Sequence, residues 1–181
     1  MRRAAILGLV ALLAAPAIAA SPAAPAAPAA PAAPENDYLL VLDHRAGPYR
    51  YLGRHPYAAA VRVFGAPSSA RADGNLCRVT WRAAGIEVGF VPGPCRPASL
   101  RRAAWYGLSL FGPRWHNTRG LRVGDPIARV RQLYPGSRFE GRSLLALLHR
   151  RDQELLFTVL AVRIDSTGHV ASIEVGPGYV F

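Results

Sequence analysis

The sequence contains no lysine: all 22 basic residues are arginine, set against 11 acidic ones. With alanine, glycine and proline abundant, this is the residue usage of a GC-rich bacterial genome and does not by itself mark a selected site. Cysteine is nearly missing, with Cys77 and Cys95 alone. The five histidines, at 44, 55, 116, 149 and 169, show no ligand spacing such as H-x-x-x-H and no Cys/His pair at zinc-like separation, so no metal is expected. There is no glycine-rich phosphate loop, no G-x-S-x-G elbow and no pair of carboxylates at a plausible spacing along the chain. No helix-turn-helix, zinc finger or aromatic RNA-binding signature occurs, so nucleic acid is not an expected partner. Neither catalytic residues nor a cofactor are expected from this inventory.

One apolar run stands out, and it is at the start. Met1-Arg2-Arg3, the run from Ala4 to Leu13 and the small-x-small Ala17-Ile18-Ala19 make residues 1–19 a Sec-type signal peptide. An uncleaved anchor is the rival reading, but the run is shorter than the roughly 20 residues a helix needs to cross a bilayer. No later run is long enough either, and no cysteine follows the apolar run to take a lipid. The expected location is therefore secreted or in the cell envelope, with no transmembrane span after cleavage. Residues 20–36 are an Ala/Pro-rich linker of polyproline type, a semi-rigid spacer or a plain exported tail. With Arg2 and Arg3 removed, 20 arginines still exceed the 11 acidic residues by nine. Such a charge attracts polyanions, which outside the cell are acidic wall polymers, lipid head groups or an acidic protein. In an exported chain Cys77 and Cys95 are expected to pair, closing a loop that contributes about 3 kcal/mol by restricting the unfolded chain.

The segment from Val123 to Pro135 states a short helix with both ends marked. Asp125 is placed to accept the free N–H groups of the first turn, Pro126 suits the first helical position, and Pro135 closes the segment. Ile127, Val130, Leu133 and Tyr134 share one apolar face. Seventy residues upstream, Pro56 opens a run in which Tyr57, Ala60, Val63 and Phe64 take the same places, and Gly65 supplies a left-handed stop. A repeat of that length predicts one small unit used twice. Leu76–Arg82 and Ile86–Val91 read as an antiparallel hairpin, with Ile86, Val88 and Phe90 on its covered side. Leu144–His149, Leu155–Ile164 and Val170–Val175 read as three further strands. The expected fold class is α+β, in two tandem units at 37–112 and 113–181. Each is a short helix packed on an antiparallel β-meander of three strands.

Val123-Gly124-Asp125 with Val130 and Leu133, and more loosely Gly53 with Val61 and Gly65, carry a resemblance. The pattern resembles the tandem-domain β-lactamase inhibitory proteins and the single-domain outer-membrane-assembly lipoproteins of the SmpA/OmlA type. The first unit departs from it with Arg54-His55-Pro56 in place of a hydroxyl cap. The second lacks a cysteine pair and has Pro135 where glycine is expected after the helix. The resemblance implies a fold of adaptors and inhibitors with no chemistry of its own, and it transfers no contact residue.

Residues 96–119 interleave arginine with aromatic side chains. Arg101, Arg102, Trp105, Tyr106, Arg114 and Trp115 form a candidate interaction patch, because Trp, Tyr and Arg most often anchor protein interfaces. The competing expectation is that the two tryptophans fill the seam between the units while the arginines are solvated. Two functions are weighed. The first is a secreted or periplasmic non-enzymatic binding module, a protein inhibitor or envelope adaptor, whose partner is an unknown protein or an anionic envelope polymer. The second is a small secreted hydrolase with a dispersed Asp/His site, which requires Asp43 or Asp125 within hydrogen-bond reach of a histidine.

Overall fold

The computed structural model describes residues 38–42, 44–140, 142–150 and 158–177. The expected signal peptide (1–19), the linker (20–36), Asp43, the first residues of the expected strand Leu155–Ile164 and the tail beyond residue 177 lie outside the described residues. In chain order the elements are β1 (Leu39–Val41), β2 (Arg45–Ala46), α1 (Pro56–Phe64), β3 (Ser69–Asp73), β4 (Leu76–Trp81), β5 (Ile86–Val91) and α2 (Pro97–Leu100). They continue with β6 (Ala104–Leu110), β7 (His116–Asn117), α3 (Ile127–Leu133), β8 (Arg138–Glu140), β9 (Leu144–Arg150), β10 (Thr158–Ile164) and β11 (Val170–Pro177).

The fold is built on antiparallel sheet with a few short helices. Eight strands form one sheet in the order β3-β4-β5-β6-β11-β10-β9-β8, and β2-β1-β7 form a second, three-stranded one. Strands β3 to β6 run as one meander and β8 to β11 as another, so each has four strands where three were expected. The last strand of each meander pairs with the other: Leu110 faces Ile173, Ser109 faces Glu174 and Leu108 faces Val175. The strands missed by hydrophobic pattern have a physical reason for it. β3 is Ser-Ala-Arg-Ala-Asp and exposed along its whole length, β8 is three residues long, and β6 runs through the Arg/aromatic stretch.

Strand alternation puts one face of the large sheet in the core. Cys77, Val79 and Trp81 of β4, Ile86, Val88 and Phe90 of β5, and Leu108 and Leu110 of β6 are buried there, with Ile173, Val162 and Leu145 continuing across the sheet. Ala60 of α1 and Val130 of α3 belong to the same buried cluster, as do Tyr49, Tyr51, Trp115 and Leu121 from the loops around the small sheet. Helix α1 lies on β4 and β5 by its aromatic face: Tyr57 meets Phe90 edge-on at 5.6 Å between ring centroids, and Phe64 meets Trp81 at 5.8 Å. A fully buried side chain such as Phe90 contributes about 1.5–3 kcal/mol relative to exposure, and the half-buried Tyr57 and Phe64 contribute less. The helix end is tied to the sheet as well, since Trp81 Nε1 donates to the Gly65 carbonyl at 2.9 Å. The disulfide Cys77–Cys95 is formed, with Cα atoms 5.2 Å apart, and fastens the exit of β5 to β4.

One expected cap is absent. Pro126 occupies the position before α3 and has no side-chain donor or acceptor, so Asp125 sits one residue too early to cap it. Asp125 instead closes a loop: its Oδ2 accepts the Arg122 N–H at 2.8 Å, and its carbonyl accepts the Val170 N–H at 2.8 Å.

Candidate functional site

With the helices on one face, the other face of the eight-stranded sheet is a trough of about 540 Å³. The residues that point into it are the ones that alternate with the core. Cross-strand register lines them up in rows. One row crosses all eight strands: Ser69, Thr80, Glu87, Ser109, Glu174, Ala161, Ala146 and Arg138. Glu87 and Glu174 therefore flank Ser109 on either side, their Cα atoms about 10 Å apart at two strand spacings. In the adjacent row, Arg71 stands opposite Arg78, Arg78 opposite Gly89, and Gly89 opposite Gly107. Gly107 and Gly176 lie side by side on β6 and β11: a Cβ on Gly107 would come within 3.0 Å of the Val175 carbonyl oxygen and one on Gly176 within 3.7 Å of the Gly107 Cα. The middle of the trough is thus floored by backbone.

The charges in the trough are arranged as ladders. Arg78 Nε donates to Asp73 Oδ2 at 2.9 Å and its Nη1 to Glu87 Oε1 at 3.4 Å, while Thr80 Oγ1 donates to Glu87 Oε2 at 3.1 Å. On the far side of Ser109, Arg163 holds Glu174 with two nitrogens at 3.0 and 3.3 Å, and Ser172 Oγ adds a bond at 2.9 Å. The hydrogen bond from Arg78, followed by its positive charge, holds the Asp73 carboxyl below its ordinary range. The same contact raises the Arg78 guanidinium further above its usual value. Beyond Arg163, Leu144, Ala146, Val159 and Ala161 pack on one another as a small apolar patch on this face. The trough is lined by four of the chain's 11 acidic residues and by three of its 22 arginines, so it lacks the positive excess of the whole chain.

The six residues of the Arg/aromatic patch are not brought together on one surface. Trp115 is fully buried and donates its indole N–H to the Ala84 carbonyl at 2.7 Å, which removes it as an exposed anchor. Trp105 packs against the core cluster and stacks on Tyr51 at 4.9 Å. Arg114 lies over the Tyr38 ring at 4.2 Å, and Arg101 and Arg102 are exposed in the turn after α2. Tyr106 alone lines the trough. Alternation along β6 sends Trp105 and Tyr106 to opposite faces, and a β-bulge decides which is which: Gly89 pairs with Gly107 and Phe90 with Trp105, so Trp105 joins Phe90 on the core side and Tyr106 is the extra residue. Sequence reasoning missed Arg78, Glu87, Arg163 and Glu174, although the polar positions of β5 and β10 alternate with apolar ones and carried the signal.

The acidic groups described here are engaged by partners of their own. Asp125 is committed to its loop, Glu174 to Arg163, and Asp165 to the turn it makes with Thr167 and His169. In that turn Thr167 Oγ1 lies 2.7 Å from Asp165 Oδ1 and 3.0 Å from His169 Nδ1. The backbone N–H of His169, then the Thr167 hydroxyl, hold the Asp165 carboxyl below its ordinary range. His116 is nearly buried, its Nδ1 3.3 Å from the Arg114 carbonyl. Among the described residues no group of three or more His, Cys, Asp and Glu side chains is placed to hold a metal ion, and no helix is long and apolar enough to cross a membrane. Comparison with protein-family models, with curated proteins and with solved structures finds no match.

Proposed function

We propose that this chain is an exported, non-enzymatic binding module, a protein inhibitor or envelope adaptor, whose working surface is the face of the eight-stranded sheet opposite its helices. The observation that carries the reading is the composition of that face. It offers a side-chain-free floor, a ladder of paired charges, Tyr106 and an apolar patch within one trough, the mixture of apolar contact and satisfied polar groups found at protein interfaces. Its shortage of arginine favours a protein over an anionic polymer as the occupant. In this reading the chain is one unit laid down twice, 37–112 and 113–181, each a helix followed by a four-stranded meander, the two joined through β6 and β11. Export is supported by the amino-terminal pattern and by the disulfide, which persists in oxidising compartments.

The test is capture of partners from an envelope extract. Wild type and an Arg101→Ala/Arg102→Ala variant are expected to retain the same protein, while Tyr106→Ala/Ser109→Trp loses it. Loss with the arginine variant and retention with the trough variant would overturn the assignment of the surface.

A further inference from the structure

The large sheet ends on β3, and this edge is unusually bare. Its five residues, Ser69 to Asp73, are all exposed, whereas the opposite edge, β8, is three residues long. No proline or bulge interrupts it, and on the helix-covered side it presents only Ala70 and Ala72, so its outward backbone groups are unshielded. The turn at Gly74 and Asn75 sets which groups face outward. In a two-residue hairpin the closing residues, here Asp73 and Leu76, exchange both hydrogen bonds. Asp73 and Arg71 therefore turn their N–H and C=O toward β4, and Ala72 and Ala70 turn theirs away from it.

We propose that β3 is a self-association edge at which two copies of this chain pair β3 with β3, antiparallel about a two-fold axis centred on Ala72. Charge selects this register. Centring on Ala72 sets Arg71 of one copy directly opposite the partner's Asp73, and the reverse, in a non-hydrogen-bonded pair where side chains come closest. The neighbouring two-fold register, centred on Arg71, would set the two arginines opposite each other, which is destabilising. Asp73 keeps an acceptor for the contact, because Arg78 takes its Oδ2. The interface is isologous and closes at two copies, so it makes a sixteen-stranded sheet and no fibre.

The experiment is sedimentation of the full chain over a wide range of concentration. A concentration-dependent dimer is expected. Arg71→Asp and Asp73→Arg should each weaken it about tenfold, the size of two cross-strand ion pairs, and the double reversal should restore it. Ala72→Pro removes only an outward N–H and should abolish the dimer while leaving the circular dichroism and the melting transition in place. A chain that stays monomeric throughout overturns the proposal. So does a dimer indifferent to both Ala72→Pro and Arg71→Asp, which would put the contact elsewhere, for instance at β8 with its exposed Phe139.

Discussion

Leu110 of β6 stands directly opposite Ile173 of β11, both fully buried, and this pair is where the two meanders become one sheet. The residues are more than sixty positions apart in the chain, so neither half completes its core without the other. Truncation here should be felt throughout. Ile173→Ala is expected to cost about 3 kcal/mol, and chemical unfolding followed by tryptophan fluorescence and by far-UV dichroism should shift as a single transition. Two separated transitions would show that the halves fold independently.

Gly85 and Gly112 approach so closely that a Cβ on Gly85 would lie 2.6 Å from the Gly112 nitrogen, and Gly85 has φ +64°. Both the clash and the left-handed backbone oppose any side chain. Gly85→Ala should therefore destabilise by about 3 kcal/mol or more. Gly74 has a similar φ of +59° but open space around it, so Gly74→Ala should cost only about 1 kcal/mol. Urea midpoints of the two variants check the contrast.

Asp73 and Asp165 both titrate below their ordinary value of 3.8 in the folded chain. A carboxyl depressed by folding adds stability that is present above its unfolded value and lost as pH falls through its folded one. The urea midpoint should therefore begin to fall as pH drops below about 4. An Asp73→Asn/Asp165→Asn variant should be less stable at neutral pH and show a shallower acid limb. An acid limb identical to wild type would assign the loss to other groups.

Local elements were legible where pattern and punctuation agree. Pro56 and Gly65 bracket α1, the alternation of Ile86, Val88 and Phe90 marks β5, and two cysteines in an exported-looking chain mark the disulfide. The trough was not legible, because Glu87, Ser109 and Glu174 become neighbours only through strand order, and nothing local says that β6 pairs with β11. Composition groups Trp115 with Tyr106, yet the first is drawn into the core and the second is turned outward at the bulge. Asp125 has the residue type of a cap, but Pro126 pushes it out of the capping position. The strand Ser-Ala-Arg-Ala-Asp lacked apolar alternation because the helix layer does not bury it.

Site-specific photocrosslinking in an envelope extract tests the proposed working surface most directly. A photoreactive side chain at Ser109, in the trough, should join to a discrete partner protein, and the same group at Arg62, on the exposed side of α1, should not. Crosslinks from Arg62 with none from Ser109 would contradict the account.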